Sequence, residues 1–260
     1  MLTVEEKYQL YENSVQCHDA DIDFINAQFE TFSGRKPLVL REDFGGTGML
    51  ACNWTKQSPE HLSYAVDLDP EPIAYGKKTH FQTLNEEEKT RMHYVQGNVL
   101  DSYPFKADVT VAFNFSYFIF KTRKQLVEYF SKVREGLKED GVFFLDLFGG
   151  TDAYEESVEE TEHDSFSYFW DCDKYNPITN ECQYYIHFEK NGKRYDKVFS
   201  YDWRMWSIPE LREILEDAGF SKTVAYWEGE DEDGDGDGNF YQSNSEDNCE
   251  SWVTYIAAIP

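Results

Sequence analysis

The chain has 260 residues, and its 50 Asp and Glu residues outnumber its 24 Lys and Arg residues, so its formal net charge is −26. A surface of this charge repels nucleic acids and anionic membranes, because binding to phosphate groups depends mainly on Lys and Arg. We therefore expect no nucleic-acid partner and no membrane partner, and an electric field that favours a cationic or amine substrate. The length suits one large α/β domain or two small ones.

The cysteines and the N-terminal segment indicate where the protein works. The five cysteines include no Cys-x-x-Cys pair, so the sequence predicts neither a disulfide framework nor a zinc site. The first residues lack the basic and apolar regions of a signal peptide, and no apolar run reaches the length of a membrane span. We expect a reduced, cytoplasmic protein, and the 20 Phe, 18 Tyr and 6 Trp suggest an aromatic-lined pocket. The sequence carries no signal for an oligomeric state.

Residues 1–36 are predicted to form a helical cap over the ligand-binding end of the first strand. The first helix covers Thr3 to Val15, and the second is predicted to begin at Asp19 as its N-cap and to end at Gly34. Tyr11 in the first helix either packs against its neighbours or closes the pocket with its hydroxyl.

The segment 37–48 is predicted to form a short buried strand, a glycine-rich turn and the start of a helix. Glycine permits positive φ and close approach of a ligand, and the helix start offers unpaired N–H groups. The spacing of Gly45, Gly46 and Gly48 is not that of G-x-G-x-x-G, and the turn has no Lys, so a phosphate-binding loop is not indicated. Glu42 would repel a pyrophosphate and favours a ligand with a cationic or hydroxylated group.

Polar side chains also follow the next two predicted strands. Asp67 ends the second strand, where a carboxylate of a doubly wound sheet can accept both hydroxyls of a ribose. Asp67 and Asp69 are equally suited to cap the helix that begins at Pro70. Asn98 follows the third strand. Because the carboxyl ends of parallel strands lie at one edge of a sheet, these side chains are expected to lie near Glu42.

Strands and helices alternate five times up to residue 148, which is typical of a parallel, doubly wound sheet. Residues 151–206 break the alternation and are predicted to form an antiparallel β lid inserted after the fifth strand. The predicted lid strands cover 165–171, 182–189 and 194–203, and the acidic stretch 151–164 is compatible with a helix. Asn191 and Gly192 predict a hairpin between two of the lid strands.

The α/β pattern resumes over 207–260, with a helix from Ile208 and two final strands, 223–227 and 252–258, predicted to be an antiparallel pair at the sheet edge. The core sheet would then have seven strands. An acidic loop, 228–239, is predicted between the final strands. Asp231, Asp233, Asp235 and Gly236 match the start of a calcium loop, but Gln242 replaces the required glutamate and no flanking helices are predicted. A solvated acidic loop is therefore favoured over a calcium site.

Four features, in order along residues 37–148, resemble class I S-adenosylmethionine-dependent methyltransferases: the turn from Glu42 to Gly48, the run Val66-Asp-Leu-Asp-Pro70, Asn98 and Asn114. The resemblance implies S-adenosylmethionine as the cofactor and a Rossmann-like α/β core, 37–150, completed by 207–260. One departure is Phe44, where the family usually has glycine or alanine. The cofactor-binding residues that the resemblance implies are Arg41, Glu42, Gly45, Gly46, Thr47, Gly48, Asp67, Leu68, Asn98, Val99 and Asn114.

Methyl transfer from a sulfonium is an in-line displacement that depends mainly on positioning, and an amine acceptor must lose a proton to a nearby acid, tyrosine or water. The candidates beside the methyl group are Asn114, Tyr117 and Tyr11, and no metal is required. Tyr117 is explained equally well as a core aromatic. The Asn-x-x-Tyr pattern resembles the Asn-Pro-Pro-Tyr motif of methyltransferases that act on nucleic-acid bases, but both prolines are absent.

Further side chains have two interpretations each. Arg41 either meets the carboxylate of the cofactor or pairs with Asp43 or Glu42. His163 in the lid is either a proton acceptor or an exposed side chain of an acidic segment. Three residues near the end of the lid either wall the substrate pocket or anchor the lid to the core: Trp203, Arg204 and Trp206.

The favoured function is methyl transfer to a small-molecule acceptor, with an amine as the candidate. The first alternative is a protein methyltransferase that recruits a basic peptide through its acidic lid. The second is a non-catalytic protein that binds S-adenosylmethionine, suggested by the unusual Phe44. A dehydrogenase is the remaining alternative.

Overall fold

The computed structural model describes residues 1–230 and 236–260, which form two β-sheets and six α-helices. The helices are α1 (Val4–Val15), α2 (His18–Ser33), α3 (Met49–Gln57), α4 (Pro70–Lys78), α5 (Arg123–Gly136) and α6 (Ile208–Asp217). The strands are β1 (Val39–Asp43), β2 (Leu62–Asp67), β3 (Met92–Gln96), β4 (Ala107–Ala112), β5 (Leu137–Gly149), β6 (Val158–His163), β7 (Phe166–Asn176), β8 (Glu181–Lys190), β9 (Lys193–Arg204), β10 (Lys222–Glu230), β11 (Gly236–Ser243) and β12 (Trp252–Ile259).

The larger sheet has the strand order β11-β10-β12-β5-β4-β1-β2-β3. Its five strands β1 to β5 are parallel, while β12 runs antiparallel to both β5 and β10. The predicted doubly wound, mostly parallel α/β sheet is thus confirmed. The carboxyl ends of β1, β2 and β4 lie at one edge of this sheet, which brings the predicted site residues near one another.

The predicted strand number of seven is wrong, because β11 pairs antiparallel with β10 and adds an eighth strand. Phe240 on β11 packs against Phe24 and Tyr255, and this aromatic contact fixes the strand to the core through a partly buried side chain. Residues 228–230 and 236–239 of the predicted acidic loop are therefore strand. Asp231, Asp233 and Asp235 of the proposed calcium loop lie outside the described residues, and Gln242 is paired with Tyr226 within the sheet.

Local capping explains most helix boundaries. Capping boxes start α1 at Thr3 and α5 at Thr122, and Asp69 accepts a hydrogen bond from the Glu71 N–H at the start of α4. The second helix ends at Gly34, as predicted, and Gly34 has a left-handed φ of 67°. The prediction of Asp19 as its N-cap is wrong, because α2 begins one residue earlier and its N-cap position holds a cysteine. None of the described helices has the length and apolar character that spanning a bilayer requires.

The smaller sheet is antiparallel, with the order β6-β7-β8-β9, and it is inserted between β5 and α6. The three predicted lid strands are present as β7, β8 and β9, and the turn at Asn191 and Gly192 has positive φ at both residues, as a type I′ hairpin requires. The helical interpretation of 151–164 is wrong, since 158–163 form the edge strand β6, which pairs antiparallel with β7. The lid packs on α1 through Leu10, Ile186 and other apolar side chains.

A buried carboxylate fastens the end of the core sheet that lies away from the site. Asp108 on β4 accepts hydrogen bonds from the N–H groups of Leu38 and Val39, at 3.0 and 2.8 Å, and from Arg35 and Lys138 at 2.6 and 3.0 Å. Burial alone would raise the pKa of Asp108, but these donors hold the pKa below its ordinary value. The folded state therefore depends on the ionised form.

We predict that Asp108→Asn lowers the free energy of unfolding by about 3 kcal/mol at neutral pH, because it leaves buried donors without a charged partner. The exposed Asp140 also pairs with Arg35, so Asp140→Asn is the matched control, with an expected loss below about 1 kcal/mol. Urea titrations measure both values. The pKa of Asp108 is lower in the folded state than in the unfolded chain. Its contribution to the free energy of unfolding is therefore complete at a pH above its unfolded-state pKa and is lost as the pH falls through its folded-state pKa. The difference in the free energy of unfolding between Asp108→Asn and wild type should therefore become smaller below about pH 4. Equal losses of stability in Asp108→Asn and Asp140→Asn would contradict this role of Asp108.

Candidate active site

The turn after β1 is built from residues with left-handed backbone conformations. Phe44, Gly46 and Gly48 have φ of 55°, 52° and 66°. Phe44 thus takes a conformation that usually belongs to glycine, while its ring packs edge-on against Phe120 and Tyr129. At Gly48, a Cβ atom would lie 2.6 Å from the Tyr94 ring, so only glycine fits there. The departure at Phe44 therefore leaves the shape of the turn intact.

Glu42 and Asp67 hold this turn from two strands. Glu42 Oε2 accepts a hydrogen bond from the Ala51 N–H in the first turn of α3, at 3.1 Å. Asp67 accepts from the N–H groups of Gly46, at 2.7 Å, and Asp69, at 2.8 Å. Burial, reinforced by the nearby Asp67, raises the pKa of Glu42 to about 8, and burial also raises the pKa of Asp67. A cationic or hydroxyl-bearing ligand group would stabilise both carboxylates in their ionised forms.

A cavity of about 430 Å³, here called the turn cavity, lies over these groups. Among the predicted residues, Glu42, Gly45, Gly46, Thr47 and Asp67 line it. Helix α1 covers one side through Tyr8 and Tyr11, and Asn114 after β4 forms another part of the wall. Main chain, carboxylates and hydroxyl groups are therefore presented to one enclosed space.

A second cavity, of about 470 Å³, continues from the first and is here called the apolar cleft. Leu68 and Ile119 line it, and these large apolar side chains are 67% and 49% exposed. Asn98 and Val99 line the cleft as well, and the side-chain oxygen of Asn98 accepts a hydrogen bond from the Leu100 N–H at 3.0 Å. That oxygen keeps one lone pair for a ligand donor. The cleft suits a flat, mainly apolar group with a polar edge.

A third cavity, of about 240 Å³, lies between the lid sheet and the core and is here called the lid cavity. Tyr11, Asn114 and Tyr201 line both the lid cavity and the turn cavity. Burial raises the pKa of Tyr11 to about 12, and the pKa of Tyr201 is also raised, so both hydroxyls remain protonated at neutral pH. These three residues mark the junction of the two cavities.

The junction depends on a residue that the sequence analysis missed, Asp146 on β5. Asn114 and Phe115 have φ of 56° and 57°, and their N–H groups donate to the Asp146 carboxylate at 2.7 and 2.9 Å. Two consecutive left-handed residues cost roughly 1–3 kcal/mol each, and the two hydrogen bonds to Asp146 offset part of this cost. Burial raises the pKa of Asp146 to about 8. The sequence feature that could have identified Asp146 is the presence of an acidic residue within the apolar run 143–148.

Glu12 was also missed, and nothing local in the sequence marks it. This buried residue of α1 accepts a hydrogen bond from the Thr47 hydroxyl at 2.6 Å and from the Tyr75 hydroxyl at 3.2 Å. His80 Nε2 lies 2.6 Å from the same carboxylate. The cap helix is thereby tied to the glycine turn and to α4.

Several predicted residues lie away from the cavities. Tyr117 is fully buried, and its hydroxyl donates to the main-chain oxygen of Asp146 at 2.7 Å, so its prediction as a catalytic residue is corrected to a core aromatic. Arg41 is buried and donates to Asp43 at 2.6 Å and to the Val99 carbonyl at 3.2 Å, which corrects the prediction of a cofactor contact. Gly48 shapes the turn without lining the turn cavity.

Of the three candidate wall residues near the end of the lid, Trp203 lines the lid cavity. Arg204 instead stacks on Trp206, with 3.7 Å between its guanidinium carbon and the ring centroid, and both anchor the lid. His163 stacks on Phe166 at the end of β6, outside the residues that line the lid cavity. Within residues 1–230 and 236–260, no group of three or more His, Cys, Asp or Glu side chains is arranged to hold a metal ion.

No protein-family model matches the chain, and no curated protein matches its sequence. Solved structures match it closely in fold. An S-adenosylmethionine-dependent methyltransferase from Clostridium acetobutylicum has a TM-score of 0.71 at 18% identity, over 98% of each chain. DesVI from Streptomyces venezuelae has a TM-score of 0.70 at 15% identity, over 100% of this chain and 99% of its own. CalS10 from Micromonospora echinaspora, an amino pentose methyltransferase with S-adenosylmethionine bound, has a TM-score of 0.66 at 12% identity, over 100% of this chain and 98% of its own. The chain therefore has the fold of the class I S-adenosylmethionine-dependent methyltransferases.

Proposed function

We propose that the protein is an S-adenosylmethionine-dependent methyltransferase that methylates a small-molecule amine. The observation that carries this proposal is the junction at Tyr11, Asn114 and Tyr201, where a cavity suited to the cofactor adjoins a second cavity suited to an acceptor. The similarity in fold to CalS10, an amino pentose methyltransferase, supports an amine as the acceptor.

The residues of the turn cavity and the apolar cleft fit the parts of S-adenosylmethionine. Asp67 retains lone pairs for the two ribose hydroxyls, and Leu68 and Ile119 suit the faces of the adenine ring. The free lone pair of Asn98 suits the adenine amino group. The glycine turn with Glu42 and Thr47 suits the cationic methionyl part, because a nearby cation would stabilise the ionised form of Glu42 and lower its raised pKa.

When bound, S-adenosylmethionine supplies a methyl group on a positively charged sulfur, open to in-line displacement. The contribution of this chain is to orient the acceptor and exclude water. Tyr11 and Tyr201 present hydroxyls at the junction, and their raised pKa values make them hydrogen-bonding groups and not bases near neutral pH. An amine acceptor therefore gives its proton to water or to a carboxylate that lines the lid cavity, Asp152 or Glu159. The hydroxyls and Asn114 orient its N–H groups so that the lone pair stays free to attack the methyl group.

The lid cavity lies between the lid and the core and has a volume of about 240 Å³. A cavity of this size suits a small molecule better than a protein acceptor. The test is incorporation of labelled methyl groups across a panel of small amines and, in parallel, basic peptides. Labelling of small amines is expected. Labelling of peptides alone would support the protein methyltransferase, and binding of S-adenosylmethionine without labelling of any acceptor would support a non-catalytic protein.

Removal of the ribose carboxylate is predicted to weaken cofactor binding. Asp67→Ala should raise the Kd for S-adenosylmethionine by about tenfold or more, because hydrogen bonds to a charged group contribute roughly 1.5–3 kcal/mol. Isothermal titration calorimetry measures the change. Asp23→Ala removes an exposed carboxylate on α2 and serves as the control, with an unchanged Kd. If Asp67→Ala and wild type bind S-adenosylmethionine with equal affinity, Asp67 does not bind the cofactor.

Asp146 is predicted to act as a positioning residue. Asp146→Asn replaces one acceptor oxygen with a donor, so one N–H of Asn114 or Phe115 loses its partner, which costs about 1–3 kcal/mol. We expect kcat to fall by about tenfold, while the Kd for S-adenosylmethionine changes less than twofold, because the turn cavity is held by other carboxylates. If cofactor affinity falls in parallel with kcat, the effect of Asp146 is structural and not specific to the junction.

Tyr11→Phe is expected to lower kcat/KM for the amine by about tenfold through loss of an orienting hydroxyl, with little change in cofactor Kd. The pKa of Tyr11 is about 12, so this group stays protonated between pH 6 and about 10. The pH profile of kcat/KM should therefore keep its shape in the variant. A pH inflection that is present in wild type and absent in Tyr11→Phe would show that Tyr11 acts as a base.

A further inference from the structure

The lid cavity has a wall of aromatic rings that the three longer lid strands contribute. Trp170 comes from β7, Tyr184 from β8, and Tyr201 and Trp203 from β9. The rings of Trp170 and Tyr201 are 5.8 Å apart and inclined by 48°, and those of Tyr201 and Trp203 are 4.3 Å apart and inclined by 31°. Trp170 also stacks on Tyr184, with ring centroids 4.7 Å apart and planes inclined by 18°, so the wall is a packed cluster of aromatic rings. Trp170 and Tyr201 are only half-buried, so part of each ring faces the cavity.

The charged side chains of the lid cavity are all acidic. Asp152 and Glu159 line it, and none of its lining residues within the described part of the chain is Lys, Arg or His. Glu159 lies on the edge strand β6, directly opposite Trp170 on β7. Aromatic faces carry partial negative charge and attract organic cations, and the two carboxylates add to this attraction. A phosphate or carboxylate group would be repelled by the same surface.

We propose that the lid cavity is an aromatic cage that binds an organic ammonium ion and thereby restricts the acceptor to amines without a nearby anionic group. This inference rests on the proposed function, because it assigns the acceptor class of the cavity that adjoins the proposed cofactor site at Tyr11 and Asn114. Trp170 and Tyr201, which are only half-buried, contact the cation, the buried Trp203 supports them from behind, and Glu159 supplies charge at the rim. An arriving ammonium and a methylated ammonium product both fit such a cage.

Binding measurements on the full-length chain test the cage directly, without turnover. The probes are choline, its neutral carbon analogue 3,3-dimethyl-1-butanol, and phosphocholine, each titrated with tryptophan fluorescence and calorimetry as readouts. Because the two alcohols share shape and apolar surface, their affinity ratio isolates the charge. Choline is expected to bind about tenfold more tightly than the neutral alcohol, and phosphocholine more weakly than choline. Equal binding of choline and the neutral alcohol would overturn the proposal.

Matched variants identify the groups that recognise the cation. Trp170→Leu should abolish most of the preference for choline, and Glu159→Gln should reduce it by about threefold. Glu160→Gln is the control, since Glu160 is the next residue of the same exposed strand, carries the same charge and is not among the cavity-lining residues. An identical reduction in Glu159→Gln and Glu160→Gln would show a general field effect and overturn the role of Glu159. Both glutamates are exposed, so this comparison does not depend on how the core tolerates Trp170→Leu.

The wild-type chain and the same variants also distinguish this inference from the proposed function. S-adenosylhomocysteine is titrated into each by calorimetry. Binding of S-adenosylhomocysteine without a preference for choline would refute the cage and leave the methyltransferase proposal standing. A preference for choline without binding of S-adenosylhomocysteine would refute the methyltransferase proposal and leave the cage as a cation-binding site.

Discussion

The shape of the candidate site depends on hydrogen bonds from turn N–H groups to carboxylates at the ends of strands. Asp67 after β2 holds Gly46, Glu42 on β1 holds the first turn of α3, and Asp146 on β5 holds the turn that begins at Asn114. Each carboxylate is shielded from water, and burial raises the pKa of each. The sheet edge is thus a frame of carboxylates and main-chain dipoles, which suits a cationic cofactor and a cationic acceptor better than a phosphate.

The parts added to the α/β core complete this frame from outside. Helix α1 contributes Tyr11 to the junction and Glu12 to the glycine turn, and the lid contributes Tyr201. The cap and the lid also pack on each other, with the rings of Tyr11 and Phe199 4.7 Å apart. One helix therefore contacts both the turn cavity and the lid cavity.

The sequence predicted those parts of the site that depend on a single turn. Glu42, Asp67 and the glycines follow one another within short motifs, and strand order then brings them together, so local pattern was enough. Asp146 and Glu12 were missed because their partners are distant in the chain. Tyr117 was assigned to the site from its position after β4, yet the chain turns its ring into the core.

The fold class was predicted correctly, and the sequence missed only two edge strands, β6 and β11. Alternating strands and helices identified the parallel sheet, whereas β6 and β11 are edge strands that exist through pairing with a neighbour. Residues 151–164 are rich in Glu, and high Glu content suits a helix when pairing is ignored. The neighbouring aromatic residues Phe240 and Tyr241 were the sequence signal for the eighth strand.

The central claim is that one ligand occupies the turn cavity and the apolar cleft together. A crystal structure of the protein with S-adenosylhomocysteine tests it most directly. The account predicts the adenine ring between Leu68 and Ile119, the ribose hydroxyls on the Asp67 carboxylate, and the sulfur pointing toward Asn114. A ligand bound elsewhere, or a glycine turn collapsed into the cavity with no ligand bound at saturating concentration, would contradict it.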